Sequence, residues 1–214
     1  MAEGKKTQKI YLYTRFERFW HWIQALMIGG LLITGFEIHG TYTLIGFEKA
    51  VKIHNYVGLT WLIMFAFFVF WLFTTGEWKQ YIPTTKKLIS VIQYYVWGIF
   101  KGKPHPVKKS ADSKHNPLQR LAYLGISAVL LPTQMATGLL FYLYNMMPQG
   151  FPLSLLAILH TFIALLLLNF LVIHIYMTTT GHSFFSHITG MITGWEEVYE
   201  NTQIEEWEMP GKKP

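Results

Sequence analysis

The sequence predicts an all-α integral membrane protein, a bundle of four transmembrane helices in one domain spanning residues 1–214. Three observations carry that expectation. Of 214 residues, 51% are apolar and only 14% charged, and mean hydropathy is positive at +0.26. The apolar residues come in four runs, at 19–36, 54–74, 121–144 and 152–177, each near the ~20 residues that cross a hydrocarbon layer. Lys and Arg gather in alternate connections, as they do in cytoplasmic loops.

Ahead of the first run lie Lys5, Lys6, Lys9, Arg15 and Arg18. That run lacks a small-residue cleavage site and continues into Gly35-Phe36-Glu37, so it reads as a retained span and not as a cleaved signal. The first and third connections hold only Lys49 and Lys52, whereas the stretch from Lys79 to Arg120 holds nine cationic side chains. With Lys212 and Lys213, sixteen of the eighteen fall on one side, so both termini and the 75–120 loop are expected in the cytoplasm. The formal charge of +6 is therefore a topology signal, and nucleic acid is not an expected partner.

Within that loop, residues 84–101 place Leu88, Ile92, Tyr95, Val96 and Ile99 at helical spacing between lysines, the pattern of an amphipathic helix lying in the headgroup region. Gly102-Lys103-Pro104-His105-Pro106 breaks it, and a polar linker follows from Lys108 to Lys114. The 195–214 tail turns acidic, with Glu196, Glu197, Glu200, Glu205, Glu206 and Glu208 among Trp195, Tyr199 and Trp207. It reads as an interaction surface, a short surface helix or a solvated end. Cysteine is absent, which excludes disulfides, thiolate-held iron–sulfur clusters and covalently attached haem within this chain.

Four histidines fall at membrane depth: His21, His54, His160 and His174. An intramembrane ionisable side chain is a functional candidate, although one histidine alone is ordinary interhelical glue. His160 and His174 are fourteen positions apart on one apolar segment, which in a helix means about 21 Å of rise and about 40° of rotation. Their imidazoles therefore point the same way from opposite ends of one span. With the expected topology, His54 and His160 lie toward the outer face and His21 and His174 toward the cytoplasm. That gives two pairs, one per leaflet, the requirement of two stacked bis-imidazole haems of the b type. Gly29, Gly30, Gly35, Gly58, Gly125 and Gly138 mark the same spans, suiting either close helix packing or a flat macrocycle between helices.

The run Arg18-Phe19-Trp20-His21-Trp22, with Thr34-Gly35-Phe36, His54, the His160 and His174 pair, Ile175-Tyr176-Met177 and Met191-Ile192-Thr193-Gly194-Trp195, resembles the cytochrome b (gamma) subunit of respiratory formate dehydrogenases over residues 14–198. The start of that pattern is shared with the cytochrome b subunits of nickel–iron hydrogenases and thiosulfate reductases. The resemblance implies an outer haem on His54 and His160, a cytoplasmic haem on His21 and His174, and a menaquinone site beside the latter. Asn116-Pro117-Leu118-Gln119 matches the family's Asn-x-x-Gln motif, which implies that Asn116 and Gln119 contact the quinone. Asn116-Pro117 also reads as a plain helix cap followed by Pro at the first helical position.

The expected function is electron transfer across a prokaryotic cytoplasmic membrane, with two haem b, between the menaquinone pool and an iron–sulfur or cytochrome c subunit on the outer face. A polytopic transporter is disfavoured because the spans hold no Asp, Glu, Lys or Arg at depth. A haem-free membrane anchor is the remaining alternative. His39, His105, His115, His182 and His187 read as interfacial or loop residues, His115 being best placed to relay protons.

Overall fold

A computed structural model describes residues 7–103, 105–107, 114–148, 150–181 and 184–199. In chain order it contains strand β1 (Thr7–Tyr11), helix α1 (Arg15–Ile38), α2 (Phe47–Thr75), a 3-10 turn at Glu77–Tyr81 and α3 (Leu88–Gln93). Helix α3 continues as a π turn at Tyr94–Gly98 and 3-10 residues Ile99–Lys101. Next come α4 (Pro117–Gly125), a π turn at Ile126–Leu130, α5 (Leu131–Tyr142) and a 3-10 turn at Tyr144–Met146, then α6 (Leu153–Thr178), α7 (Ser186–Thr193) and β2 (Trp195–Tyr199).

Among the described residues, four helices are long and apolar enough to cross a membrane: Arg15–Ile38, Phe47–Thr75, Pro117–Tyr142 and Leu153–Thr178. The four expected spans are present. The second helix begins seven residues before the apolar run at 54, because Lys49 and Lys52 are good helix formers even though they end the hydropathic signal. The third helix widens into its π turn just ahead of Pro132. Proline has no N–H to donate and its ring crowds the preceding turn, and a wider turn relieves that crowding.

The chain forms two compact units. The first comprises Phe19–Trp71 and Ser127–Ile175, and so holds the interiors of all four long helices. Many of its large apolar side chains are exposed, among them Leu26, Phe67, Phe70 and Ile158. That suits a lipid surface, where outward apolar area carries no penalty. Inside, Trp20 stacks flat on Phe68 with ring centres 4.7 Å apart, while Trp61, Leu131, Met135, Leu156 and Ile163 are buried. Helix α1 ends at Gly40, whose φ of +75° is a left-handed stop that glycine adopts without strain. The Glu37 carboxylate then accepts the N–H groups of Leu44, Ile45 and Gly46 at 2.9, 2.8 and 2.7 Å, folding the connection back onto the helix end.

The second unit comprises Met1–Arg18, Leu72–Ile126 and Tyr176–Pro214. In it β1 and β2 pair antiparallel, from Thr7 opposite Tyr199 to Tyr11 opposite Trp195. The described start of the acidic tail is thus a strand and not the surface helix expected as one option; its other glutamates from Glu200 onward lie outside the described residues. The turn into β2 needs Gly194: its φ is +90°, and a Cβ there would meet the Tyr11 ring at 2.5 Å and the Tyr13 carbonyl at 2.8 Å. The amphipathic segment starts at Leu88, after a left-handed Lys87, instead of at residue 84. Its inward face carries Val91 and Gly98, whereas Ile92 and Val96 of the expected apolar face are exposed. The linker from Lys108 through Ser113 lies outside the described residues.

Candidate functional site

The four membrane-depth histidines all belong to the first unit and come together in two facing pairs. His54 on α2 faces His160 on α6, with ring centres 6.4 Å apart and planes inclined at 69°. His21 on α1 faces His174 on α6, at 6.1 Å and 54°. The structure thus brings His54 beside His160 and His21 beside His174, with α6 carrying one member of each pair.

The first pair is anchored by threonines. Thr34 Oγ1 donates to the Gly30 carbonyl at 2.7 Å, so its only proton is used and it accepts from His54 Nδ1 at 2.9 Å. Thr137 Oγ1 donates in the same way to the Thr133 carbonyl at 2.8 Å and accepts from His160 Nδ1 at 2.8 Å. Both imidazoles are thereby fixed as Nδ1–H tautomers with a bare Nε2. The Gln134 amide nitrogen donates to that bare Nε2 of His160 at 3.1 Å, and the other amide atom, Oε1, is buried without a partner among the described residues. A metal at His160 Nε2 would replace the Gln134 amide there.

Each threonine is followed by a glycine that lets the imidazole approach. A Cβ at Gly35 would lie 3.5 Å from His54 Cε1, and one at Gly138 only 3.3 Å from His160 Cε1. Gly29 and Gly30 have nothing within 4 Å of a would-be Cβ, so close helix packing does not explain them and open space does. In the second pair, His21 Nδ1 is buried with no partner among the described residues. Trp22 packs edge-on to His21 at 5.1 Å, and Phe170 lies nearly parallel to His174 at 5.8 Å. His39, outside the pairs, meets Thr161 Oγ1 at 3.3 Å.

The quinone candidates lie in the second unit. Asn116 caps α4 in a reciprocal capping box: its Oδ1 accepts from the Gln119 N–H at 2.9 Å, and Gln119 Oε1 accepts from the Asn116 N–H at 3.0 Å. The Asn116 amide also donates to the Tyr95 hydroxyl at 3.0 Å. Burial pushes the Tyr95 phenol up to about 12, although the bond from Asn116 acts the other way. His105 Nε2 meets the same hydroxyl at 3.2 Å. The Tyr81 phenol is also raised, by burial first and then by Tyr123, Glu17 and Glu77; His115 lies between the Tyr81 and Tyr123 rings, at 5.7 and 4.9 Å. His187 pairs with Glu196 at 2.9 Å, and His182 lies outside the described residues.

Sequence reading missed two features. Thr34 and Thr137 anchor the imidazoles; Thr-Gly occurs six times in the chain, and only the pairs at 34–35 and 137–138 lie inside apolar runs, which is the signal available. Lys114 is buried between Glu17, at 2.6 Å, and Glu77, at 3.3 Å, although the sequence places it in a polar linker. No local pattern signals that contact.

Four membrane-length helices carrying facing imidazole pairs are the architecture of a helical membrane cytochrome b. The chain belongs to the prokaryotic cytochrome b561 family, whose model matches residues 12–194. It is similar to the Escherichia coli (strain K12) protein named "Putative cytochrome YdhU", with 30% identity over 198 residues covering 88% of this chain and 75% of that protein. No solved structure gives a significant match. Membership makes the chain a membrane cytochrome of electron transfer that binds haem b.

Proposed function

We propose that the chain is the dihaem cytochrome b subunit of a respiratory oxidoreductase complex, linking an outer-face redox subunit to the menaquinone pool. His54 and His160 hold the outer haem and His21 and His174 the cytoplasmic one. The observation that carries this reading is the ring separation of 6.4 and 6.1 Å in two independent pairs. Two imidazoles sharing one metal, each with a bond of about 2 Å and about 1 Å more from nitrogen to ring centre, would have ring centres about 6 Å apart. Both spacings match.

Haem b supplies one-electron chemistry when bound, and the protein sets ligands, dielectric and spacing. The four histidines would supply noncovalent nitrogen ligands to haem b, as a chain without cysteine requires. Gly29 and Gly30 leave open space for a planar group, and Gly35 and Gly138 let the His54 and His160 rings approach. Asn116 donates toward a quinone carbonyl, and Gln119 holds Asn116 in place. The lysine and arginine distribution supports cytoplasmic termini. Among possible electron partners, a formate dehydrogenase fits the resemblance of the histidine pattern; the hydrogenase, thiosulfate reductase and multihaem cytochrome assignments share the same ligand set.

A reduced-minus-oxidised spectrum with a pyridine haemochrome count on the purified protein tests the reading. Two b-type haems per chain are expected. One haem overturns the pairing, and none returns the chain to a membrane anchor.

A further inference from the structure

We propose that Thr34 and Thr137 are positioning residues that hold the haem of His54 and His160 at a lower reduction potential than the haem of His21 and His174. The inference rests on the pairing proposed above and adds an ordering to it.

The same device occurs twice. On α1, Thr34-Gly35 faces His54, and on α5, Thr137-Gly138 faces His160. In each case a threonine bonds back to the carbonyl four residues earlier, Gly30 or Thr133, a common fate for a helical threonine. Here that bond consumes the hydroxyl proton and turns the oxygen into a pure acceptor aimed at Nδ1. β-Branching limits the threonine rotamers and fixes the aim. The following glycine removes the Cβ that would hold the imidazole off. Both threonines are only 4% exposed, so water does not substitute for them.

A proton shared between Nδ1 and an acceptor makes the opposite nitrogen a stronger electron donor, which favours the more highly charged iron and lowers the potential. Both ligands of the first pair have this bond. In the second pair, by contrast, His21 Nδ1 is buried without a hydrogen-bond partner among the described residues. The two sites are therefore electronically unequal although each uses two imidazoles, and an electron shared between them resides preferentially at the His21 and His174 end.

The test is a potentiometric titration of the purified full-length protein, following both haem components, in wild type and in Thr34→Val, Thr137→Val, Thr34→Ser and Thr137→Ser. Valine keeps the branched shape and removes the acceptor, whereas serine keeps the acceptor. In each valine variant the lower-potential component should rise while the other stays, changing the electron-sharing equilibrium between the haems about fivefold, the scale of one hydrogen bond. Serine should hold the wild-type value. Two haems per chain with unchanged potentials in both valine variants overturn the inference and leave the pairing standing. A valine shift confined to the higher-potential component, or an equal shift in the serine variants, overturns it as well. A wild-type count of one haem overturns the pairing and the inference together.

Discussion

Lys114 and Glu17 are 97 positions apart in the chain, yet the ammonium of one lies 2.6 Å from the carboxylate of the other, with Glu77 at 3.3 Å completing the cluster. The Lys114 side chain is 7% exposed, against 17% for Glu17 and 30% for Glu77. Glu17 also closes the capping box that starts α1, accepting from the Thr14 N–H at 2.7 Å. One buried cation thus ties the entrance of the first span to the chain just ahead of the third.

Removing that cation strands two carboxylates in a poorly solvated place. Lys114→Met is expected to destabilise the protein by about 3–5 kcal/mol, the range for breaking one side of a buried pair. Adding Glu17→Gln and Glu77→Gln to the same chain should restore much of the loss, because no unpaired charge then remains. Thermal unfolding in detergent measures both, and a triple variant no more stable than the single one would contradict the electrostatic account.

Haem content tests the histidine pairing directly. His54→Ala or His160→Ala should lower the pyridine haemochrome count from two to one, as each removes a ligand from the same pair. His21→Ala and His174→Ala should do likewise for the other. Retention of two haems in His160→Ala would refute the assignment.

Asn116 has both a cap role and a proposed quinone role, and one variant separates them. Asn116→Ser keeps an oxygen able to accept the Gln119 N–H and removes the amide that reaches Tyr95. Haem content and folding should be near normal. Quinone-linked turnover should fall about 5- to 150-fold, corresponding to the 1–3 kcal/mol attached to a lost buried hydrogen bond. Unimpaired turnover would leave Asn116 a helix cap.

The Tyr95 phenol gives a pH signature. Its folded value of about 12 exceeds the ordinary 10.0 because burial disfavours the phenolate. The unfolded chain therefore loses that proton first as pH rises, so the contribution is complete below pH 10 and declines between pH 10 and about 12. Unfolding midpoints followed across that window should drop less steeply in Tyr95→Phe than in wild type.

The spans are legible because hydropathy and helical periodicity are local or additive signals. His160 and His174 show this best: one helix, one spacing, one geometry. The threonine anchors were less accessible, since a hydroxyl in a span is more often turned to its own backbone, and Thr34 and Thr137 do that as well. The ion pairs of Lys114 are not legible because Glu17 and Glu77 are distant from it in sequence. The strand at 195–199 was hidden by its composition: Glu196 and Glu197 weaken a strand signal, and pairing with 7–11 supplies what propensity does not.

Gly35 and Gly138 make unequal demands, and that inequality is measurable. A methyl at Gly35 would lie 3.5 Å from His54 Cε1, an ordinary contact, whereas at Gly138 it would lie 3.3 Å from His160 Cε1. His160 has little freedom to retreat, because Thr137 holds its Nδ1 at 2.8 Å and Phe141 packs edge-on at 5.6 Å. Gly138→Ala must therefore tilt the imidazole or strain the threonine bond, at a cost of about 1–3 kcal/mol, as overpacked sites show. Haem occupancy of the His54 and His160 pair should fall clearly in Gly138→Ala and little in Gly35→Ala. Equal occupancy in the two variants, read by haem-to-protein ratio, would show that the ring yields freely and that the tight approach at Gly138 does not constrain it.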